Sequence, residues 1–414
     1  MIDHPETDLN SQIEQALQLW LSDNKKQLSL LLLSWYDTAG RDLPWRCTKN
    51  PYLIWLSEIM LQQTQVTTVK TYYHRFITAW PTLSALAAAA ETDILKAWEG
   101  LGYYSRARNL LKTARLVAEQ YGGQFPENYQ ALLKLPGIGE YTAGALMSIA
   151  FNQPYPAVDG NVVRVSARLA AAHLSNQKPH NRKKVTAFIR ELMPVDRPGD
   201  FNEALMDLGA TLCVPAAPHC EICPLSGICQ AYLTNRVSLF PVSRQRRLPR
   251  EEKHIVLLTT KGDRVLVHQK TGQGLLAGLY CFDWLKITKN EQKTDEHNRI
   301  DHQVSFQIKP APDDPVQIEM SPEQVIGQLR LIFPDAGIID LGRHRHVFTH
   351  IRWYLHGFLI DQPYNRDQDT PKDPAADFWA DEQQLQALPI ARALEIYRQR
   401  WLDWSRHKKE PGRT

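Results

Sequence analysis

The sequence predicts two domains of different fold class: a mainly α-helical N-terminal part and a smaller α+β C-terminal domain. Between residues 28 and 235, apolar side chains recur three and four positions apart, which is the period of a helix. After residue 253, short runs rich in β-branched and aromatic residues alternate with turn signals, as they do in strands. A basic segment, residues 236–253, separates the two patterns and is interpreted as a linker. A chain of 414 residues fits two or three domains.

The helical part follows a polar N-terminal extension, residues 1–27, in which one short amphipathic helix is predicted around residues 13–21. Within the helical part, the repeating apolar positions are clear from Trp55 through Ile59 to Val66. Helix-breaking residues interrupt the pattern at Pro44, Pro81, Gly122–Gly123, Pro136–Gly137, Pro154 and Pro198–Gly199. We therefore expect a succession of helices that end at these breaks.

The C-terminal domain, residues 254–405, opens with two apolar runs, HIVLLTT and DRVLVHQK. Lys261 and Gly262 separate them, which predicts a β-hairpin. Further strands are expected in LYCFDWL and FTHIRWYLHGFL, and helices in SPEQVIGQLRLIF and ALPIARALEIYRQRWLDW. Polar loops are predicted for residues 286–316 and 361–376, and a polar tail for residues 406–414. This mixture of elements predicts an α+β domain.

Composition sets limits on the class of protein. Hydrophobic residues make up 43% of the chain and charged residues 22%, which is ordinary for a soluble globular protein. The net charge of +3 does not indicate a polyanionic partner, so any nucleic-acid surface must arise from local arrangement. The first residues lack the basic and apolar pattern of a signal peptide, and the apolar runs are shorter than the ~20 residues of a membrane span. We expect a cytoplasmic protein without membrane association.

Four of the six cysteines lie close together, with the spacing C-x6-C-x2-C-x5-C. The candidate metal ligands are Cys213, Cys220, Cys223 and Cys229. In a cytosolic chain, such a cluster indicates a metal site sooner than disulfides. Either tetrahedral zinc or an iron–sulfur cluster accepts four cysteines, and the spacing leaves both open. A metal there would staple the loop and would not need to take part in redox chemistry.

The stretch LPGIGEYTAGAL places Gly137 and Gly139 immediately before a predicted helix. A glycine turn that enters a helix leaves backbone N–H groups free at the positive end of the helix dipole, which suits a phosphate. A turn between two packed helices would have the same sequence. No strand is predicted before this turn, which argues against a dinucleotide-binding βαβ unit.

LPGIGEYTAGAL resembles the helix-hairpin-helix of the endonuclease III superfamily of DNA glycosylases. VDGNVVRV carries Asp159 where that superfamily keeps a catalytic aspartate, and the cysteine spacing is similar to that of its [4Fe-4S] loop. RDLPWR, WLSEIMLQQTQV, WEGLGYYSRARNL and FNEALMDLGATLC are similar to the adenine DNA glycosylase branch. The resemblance covers residues 28–232 and continues weakly through GLLAGLYCF and HVFTH.

This resemblance implies a two-lobed, helical glycosylase with a [4Fe-4S] cluster loop and an active site in the cleft. Its substrate would be double-stranded DNA with adenine opposite 8-oxoguanine or guanine. Removal of that adenine would start base excision repair. We expect a monomer, which would be nucleoid-associated if the protein is bacterial.

Glu58 is the candidate general acid. It lies among apolar residues, including Trp55 and Ile59, so burial should raise its pKa and keep it protonated near neutral pH. Departure of adenine from deoxyribose needs a proton on the base and negative charge beside the sugar cation, and glycosidases meet this demand with two carboxyls. The resemblance implies that N7 of adenine receives the proton.

Asp159 is the candidate carboxylate. It stands at an Asp-Gly turn before a helical run, where helix-start N–H groups should keep it ionised. That state suits stabilising the sugar cation or briefly bonding to it. By resemblance, Asn161 and Tyr141 hydrogen-bond the two carboxyls and order the attacking water. In the bifunctional branch, the position of Tyr141 carries a lysine that forms a Schiff base. Tyrosine cannot do so, and the resemblance therefore implies a monofunctional glycosylase.

The resemblance also implies several DNA contacts. Extruding a base costs roughly a few kcal/mol of stacking, and side chains must fill the gap. Gln63 and Tyr103 are the wedge candidates, and Arg106 and Arg108 are expected to meet phosphates. The loop VPAAPH, residues 214–219, contains no Lys or Arg, which weakens a phosphate-contact role for that loop.

The C-terminal domain resembles the Nudix fold but lacks its REUxEExGU metal box between Gly278 and Pro334. Hydrolysis of free nucleotides is therefore disfavoured. In the adenine DNA glycosylase branch, this domain recognises 8-oxoguanine through a loop that usually reads Phe-Ser-His. Here the loop reads Phe348-Thr349-His350, which keeps the hydroxyl and adds a methyl group.

Three alternative functions share parts of this pattern. A bifunctional glycosylase/lyase is disfavoured by Tyr141, and a Nudix hydrolase by the missing metal box. A non-catalytic lesion sensor on the same scaffold would not need both Glu58 and Asp159.

Overall fold

The computed structural model describes residues 5–175, 178–242, 249–270, 274–287, 321–363 and 377–409. The chain divides into two compact units. Unit 1 comprises residues 1–89 and 108–246, and unit 2 comprises residues 90–107 and 247–414. Residues 90–107 therefore cluster with the C-terminal part of the chain, although the sequence pattern placed them in the helical domain.

Unit 1 is built from helices, as the apolar periodicity predicted. They are α1 (Pro5–Ala39), α2 (Pro51–Leu61), α3 (Val66–Ala79), α4 (Leu83–Ala87), α7 (Tyr129–Leu133), α8 (Glu140–Ala145), α9 (Gly160–Leu169), α10 (Pro179–Leu192), α11 (Pro198–Thr211) and α12 (Gln230–Leu233). In unit 2, α5 (Glu91–Ala97) is short, and α6 (Ser105–Gln120) starts there and continues into unit 1. Across the described ranges, no helix is long and apolar enough to cross a membrane.

The prediction of a polar N-terminal extension is wrong for the part that the structure describes. Residues 5–27 are the first part of α1, whose Ile13, Leu17 and Trp20 are buried in the core of unit 1. The indole N–H of Trp20 donates to the carbonyl of Ile228 at 2.8 Å. These apolar residues recur at three- and four-residue spacings and form one narrow stripe, while the polar residues around them face solvent.

Close helix packing in unit 1 depends on glycines. A Cβ on Gly144 of α8 would clash with the carbonyl oxygen of Pro156, in the segment that leads into α9. A Cβ on Gly209 of α11 would lie 2.6 Å from the Cβ of Asn161 in α9. Helices α8, α9 and α11 can therefore approach one another only where a side chain is absent.

The described part of unit 2 contains a seven-stranded sheet with the order β3-β2-β1-β6-β5, in which β4 also pairs with β1 and β7 with β2. The strands are β1 (Arg250–Lys261), β2 (Arg264–Gln269), β3 (Tyr280–Cys281), β4 (Asp283–Ile287), β5 (Gly337–Val347), β6 (Ile351–Gln362) and β7 (Asp377–Ala380). The helices are α13 (Pro322–Ile332), α14 (Glu382–Ala387) and α15 (Glu395–Lys409). The α+β prediction is confirmed.

The register of the sheet confirms the predicted hairpin. Lys261 pairs with Arg264 across an antiparallel turn, and Gly262 adopts a φ of +61° there. Strand β1 runs parallel to β6 along its whole length, from the Arg250–Ile351 pair onward. Apolar residues of β1 and β6 pack with α13 in one core cluster, which contains Ile255, Leu257, Phe358, Ile360, Val325 and Leu329.

Several predicted boundaries differ from the structure. Strand β1 begins at Arg250, inside the predicted basic linker, because these residues pair with β6. Residues 286–287 and 361–362, predicted as loops, end strands β4 and β6. Helix α15 continues to Lys409, into the predicted polar tail. The rest of both predicted loops, apart from residue 363, lies outside the described residues, as do residues 243–248 of the linker.

Replacing Leu17 by Ala should destabilise unit 1 by about 2–5 kcal/mol, the range for losing a buried leucine. Its side chain is 4% exposed, whereas Leu19, two residues away on the same helix, is 67% exposed. Leu19→Ala is therefore the matched control and should leave the unfolding midpoint in urea almost unchanged. Equal midpoints for the two variants would contradict the placement of α1 in the core.

Candidate active site

Glu58 lies near the end of α2, a helix that starts with a side-chain cap. The Asn50 Oδ1 accepts a hydrogen bond from the Tyr52 N–H at 2.9 Å. Glu58 is 5% exposed and is one of the buried residues of this helix, with Trp55 and Ile59. Within the described residues, its Oε2 atom has no hydrogen-bond partner. A buried carboxyl oxygen without a donor favours the neutral acid, because the ion would lose its hydration with little compensation.

Burial raises the pKa of Glu58 to about 7. A hydrogen bond from Tyr141 opposes this shift, the negative charges of Glu203 and Asp159 add to it, and the positive charge of Arg46 opposes it. The sequence-based expectation of an acid protonated near neutral pH therefore agrees with the environment in the structure.

The glycine turn places Tyr141 in the first turn of α8, beside Glu58. Gly137 adopts a φ of +76°, and a Cβ there would lie 2.9 Å from the Cβ of Asn109. The Tyr141 hydroxyl interacts with the Glu58 carboxyl and lies 3.2 Å from the sulfur of Met206. Rotation about the phenol C–O bond allows donation to either acceptor. Burial raises the pKa of Tyr141 well above its usual value, so the residue remains a neutral hydrogen-bond donor.

Asp159 caps the N-terminus of α9. Its Oδ1 accepts from the Val162 N–H at 2.8 Å, and its Oδ2 accepts from the Asn161 side-chain amide at 2.9 Å. The Asn161 Oδ1 in turn accepts from Arg164 at 2.9 Å, and Arg164 also donates to the carbonyl of Gly209 at 2.7 Å. Asp159 is thus held in one orientation by a chain of side chains that ends on α11.

The pKa of Asp159 is raised above its ordinary value. Burial raises it, and the hydrogen bonds from Val162 and Asn161 together with the charge of Arg164 only partly offset this effect. The expectation that helix-start donors hold this carboxyl agrees with the bond from the Val162 N–H, whereas the extent of its burial was not apparent from the sequence. The same donors nevertheless stabilise the ionised form, and Glu58 has a hydrogen bond from Tyr141 but no such set of backbone donors.

A second group of polar residues borders this site and was missed by the sequence reasoning. Arg46 binds Asp207 through two hydrogen bonds, of 2.6 and 2.7 Å, and Arg41 adds another of 2.7 Å. The Tyr36 hydroxyl donates to Glu203 at 2.7 Å, and the Arg46 Nε lies 3.6 Å from Glu203. RDLPWR and FNEALMDLGATLC contain most of these residues. The available signal was a pair of acids four residues apart, Glu203 and Asp207, between the apolar residues of α11.

The two acids of this group, Asp207 and Glu203, have pKa values shifted in opposite directions. Burial would raise the pKa of Asp207, but the hydrogen bonds and charge of Arg46, together with Arg41, outweigh it and lower that pKa. Glu203 has a raised pKa because burial exceeds the effects of Arg46 and Tyr36. Asp207 is therefore a fixed carboxylate that anchors Arg46, while Glu203 adds negative potential near Glu58.

The two wedge candidates occupy exposed tips with left-handed backbone conformation. Gln63 follows α2 with a φ of 58°, and Tyr103 precedes α6 with a φ of 50° and 42% exposure. Gly100 and Gly102 also have positive φ and shape the turn that carries Tyr103. Residues other than glycine rarely adopt this conformation, and such strain concentrates at functional sites.

Arg106 does not reach the surface as a phosphate contact would require. Its side chain is buried and donates to the carbonyls of Leu101 and Gly102 at 3.1 and 3.0 Å. Its guanidinium lies over the rings of Trp98 and Tyr103, at 5.3 and 5.7 Å. The side chain instead stabilises the turn that presents Tyr103. Local sequence did not show this, because an arginine at a helix start faces either way.

Residues 348–350, here called the recognition turn, connect β5 to β6. The Phe348 N–H donates to the carbonyl of Ile351 at 2.8 Å, which closes the turn. The Thr349 hydroxyl contacts the Tyr103 hydroxyl, and both residues belong to unit 2. Thr349 and His350 are exposed.

The four clustered cysteines border one loop at the end of α11. All are half-buried, and none of the described cysteines forms a disulfide. Arg168 donates to the sulfur of Cys213 at 3.3 Å and to the carbonyl of Val214 at 2.8 Å, while Cys229 donates to the Arg168 carbonyl at 3.4 Å. The loop packs on the core of unit 1 through Leu225 and Ile228.

The thiol groups are close enough to influence one another. Burial raises the pKa of Cys223 to about 12 and that of Cys229 to about 11, and in both cases the other cysteines add to the shift. In the described part of the chain, no three Cys, His, Asp or Glu side chains are arranged as ligands around one point. The donor set fits a metal centre in its chemistry, since it consists of four unpaired thiols in an apolar shell.

Comparison with known proteins places these features in context. The model of the HhH-GPD superfamily of base excision DNA repair proteins matches residues 56–193, and the NUDIX domain model matches residues 254–399. The adenine DNA glycosylase of Rattus norvegicus is 35% identical over 373 residues, which is 78% of this chain and 68% of that protein.

One further relative and one solved structure are also similar to this chain. The adenine DNA glycosylase of Buchnera aphidicola subsp. Baizongia pistaciae is 39% identical over 254 residues, which is 61% of this chain and 72% of that protein. A solved structure described as a thermostable thymine-DNA glycosylase is 34% identical, with a TM-score of 0.48, and covers 51% of this chain and 98% of its own.

Replacing Glu58 by Gln should stabilise the fold more at pH 8 than at pH 5. Burial raises the pKa of Glu58 from 4.5 to about 7, so the folded state binds more protons than the unfolded state between these values. The stability contributed by this group is present below about pH 4.5 and is lost as pH rises through about 7. Glutamine does not ionise and avoids this loss.

The measurement is the urea midpoint of wild type and variant at both pH values. Glu127→Gln is the control, because Glu127 is exposed. The same midpoint difference at pH 5 and pH 8 would contradict the raised pKa of Glu58.

Proposed function

The chain belongs to the adenine DNA glycosylase family, and from this premise we propose that it removes adenine paired with 8-oxoguanine or guanine in double-stranded DNA. The reaction is hydrolysis of the N-glycosidic bond and begins base excision repair. The observation that carries the proposal is the buried Glu58 carboxyl, with a pKa of about 7, next to the capped carboxyl of Asp159. Two carboxyls in different environments are what cleavage of a glycosidic bond requires.

Glu58 supplies the proton. Adenine leaves with the electron pair of the broken N–C1′ bond, so the base must be protonated as the bond lengthens. A carboxyl with a pKa near 7 is protonated in about half the molecules at neutral pH. Because its pKa is close to the working pH, it can both donate a proton and take one up. The attacking water then loses a proton, which returns to Glu58 and restores the starting state.

Asp159 stabilises the sugar cation that forms as adenine leaves. Its two oxygens already accept hydrogen bonds from Val162 and Asn161, so the carboxylate is oriented before the substrate binds. Little reorganisation is then needed when positive charge develops at C1′. Asn161 and Tyr141 are placed to hold the water and to keep the proton on the correct carboxyl.

The enzyme is monofunctional in this proposal. A lyase forms a Schiff base between an amine and C1′, and a phenol cannot form one. Tyr141 remains neutral because burial raises its pKa well above the usual value. It therefore acts as a hydrogen-bond donor and leaves the sugar to water.

We assign the DNA contacts to turns between the helices and strands. We assign Gln63 and Tyr103 as wedges that replace the extruded adenine in the stack, since both are exposed and held in left-handed conformation. Gly137 and Gly139 present the backbone of the helix-hairpin-helix turn to a phosphate. The recognition turn, Phe348-Thr349-His350, reads the base opposite the adenine, and the Thr349 hydroxyl supplies a donor and an acceptor for that purpose.

The four loop cysteines are assigned to a [4Fe-4S] cluster. Cys213, Cys220, Cys223 and Cys229 are unpaired thiols beside one apolar core, and the positive charge of Arg168 next to Cys213 favours thiolate ligands. When bound, the cluster supplies a cross-link that fixes the loop. The hydrolytic steps above use none of its electrons.

Single-turnover incubation with a labelled duplex containing an A:8-oxoguanine pair tests the reaction. Strand breaks should appear only after alkali, because a monofunctional enzyme leaves an intact abasic strand. Glu58→Gln should bind the duplex with wild-type affinity but release adenine at least about 10²-fold more slowly, the usual contribution of general acid catalysis. Glu127→Gln should behave as wild type. Breaks without alkali, or normal turnover by Glu58→Gln, would overturn the mechanism.

The metal assignment is tested by analysis of purified protein for iron, sulfide and zinc. We expect about four iron and four sulfide per chain and a brown colour. Cys223→Ser should lower the iron content, whereas Cys47→Ser is the control, because Cys47 is exposed and lies far from the cluster in sequence. A colourless protein with one zinc per chain would overturn the assignment.

A further inference from the structure

The recognition turn is connected to a buried carboxylate in the sheet of unit 2. The ring of Phe348 packs edge-on against Trp353 in β6, with 4.9 Å between ring centroids and an interplanar angle of 76°. At the other end of the turn, the carbonyl of His350 accepts from the Arg250 N–H in β1 at 3.0 Å. Both Trp353 and Arg250 also contact Glu252.

Trp353 is oriented by Glu252, its partner in the parallel β1–β6 register. The Trp353 indole N–H donates to the Glu252 Oε2 at 3.0 Å, and both residues are less than a tenth exposed. His254 contacts both residues. Its ring centroid lies 4.7 Å from that of Trp353, and its Nε2 is 3.3 Å from the same Glu252 oxygen. The indole has one hydrogen-bond donor, so this bond sets the orientation of its ring plane.

Glu252 is held as an ion. Burial would raise its pKa, but hydrogen bonds and charges from Lys286, Trp353 and Arg250 outweigh this effect and lower the pKa to about 2. Lys286 and Arg250 each lie 2.7 Å from its Oε1. The carboxylate therefore joins three strands, because Lys286 is in β4, Arg250 in β1 and Trp353 in β6.

Burying a charged group is costly, and an apolar residue of similar volume would often serve stability as well. The contacts of Glu252 reach the recognition turn through Trp353, which packs on Phe348. The Arg250 guanidinium binds Glu252, whereas the bond to His350 is made by the Arg250 backbone N–H. Glu251, the neighbour of Glu252 in sequence, instead pairs with Arg352 at 2.7 Å on the opposite side of the strand. The two adjacent glutamates therefore have different partners. Glu252 binds Trp353, which packs on Phe348, whereas Glu251 binds Arg352.

We propose that Glu252 is a positioning residue for specificity: through Trp353 it fixes the position of Phe348 in the recognition turn and thereby the preference for 8-oxoguanine over guanine opposite adenine. This inference rests on the proposed role of the turn. A displacement of even ~1 Å at a binding group lowers rates strongly, so loosening the support should reduce discrimination. Glutamine cannot replace the ion, because the donor end of its amide would face either the indole N–H of Trp353 or the cations Lys286 and Arg250.

The experiment compares single-turnover rates on A:8-oxoguanine and A:guanine duplexes. Glu252→Gln should lower the ratio of the two rates by about three- to tenfold, with the larger loss on 8-oxoguanine, as expected for losing a charge-assisted hydrogen bond. Trp353→Phe keeps an aromatic ring for Phe348 but removes the N–H, and should lower the ratio in the same direction. Glu251→Gln is the matched control and should keep the wild-type ratio.

Two further measurements separate positioning from general stability. Thr349→Ala should lower the ratio by removing the hydroxyl that reads the base, and Glu252→Gln added to it should lower the ratio little further. With 5-fluorotryptophan incorporated, the ¹⁹F resonance that disappears in Trp353→Phe should shift in Glu252→Gln and not in Glu251→Gln.

The outcomes are distinguishable. If Thr349→Ala lowers the ratio while Glu252→Gln and Trp353→Phe keep it, the positioning role is wrong and the proposed role of the turn stands. Equal losses on both duplexes in Glu252→Gln would show a general structural effect and overturn the inference. If wild type shows no preference, or Thr349→Ala retains it, the proposed role of the turn fails and the inference fails with it.

Discussion

The main electrostatic constraint in unit 1 is that the Glu58 carboxyl is buried beside other acids, which favours its protonated form. The negative charges of Asp159 and Glu203 raise the pKa of Glu58, and Arg46 opposes this shift. If all three acids were ionised in this buried setting, their repulsion and lost hydration would destabilise the fold. A proton on Glu58 relieves that conflict. This proton is the one that, in the proposed mechanism, is transferred to adenine as it leaves.

Neighbouring elements hold the charged groups around Glu58 in place. Asp207 fixes Arg46 by two hydrogen bonds, while Asp159 is fixed by the start of α9. Gly144 and Gly209 allow the helices that carry these residues to approach closely. In unit 2, Glu252 shows the opposite solution for a buried acid: neighbouring cations and an indole keep it ionised, and it serves as an anchor. Glu58 and Glu252 therefore differ in protonation because different hydrogen-bond donors and cations surround them.

Sequence was informative where a property is local. The burial of Glu58 followed from its apolar neighbours, the Asp159 cap from the Asp-Gly turn, and the β1–β2 hairpin from Lys261-Gly262. The sequence did not predict features that depend on contacts between residues far apart in the chain. The Arg46–Asp207 pair joins residues far apart in the chain, and the buried orientation of Arg106 depends on carbonyls that only the folded turn presents. The raised pKa of Asp159 likewise reflects coverage by distant residues, and the buried stripe of α1 acquires its meaning only from its partners α10 and α11.

The protonation state of Glu58 is the central claim, and infrared spectroscopy observes it directly. The carbonyl stretch of a neutral carboxyl is separate from that of a carboxylate, so a difference spectrum between wild type and Glu58→Gln isolates this group during a pH titration. We expect the neutral-acid band to persist at pH 6 and to disappear with a midpoint near pH 7, as burial dictates. A midpoint near 4.5, the ordinary value for glutamate, would show that Glu58 is ionised at neutral pH and would contradict its role as proton donor.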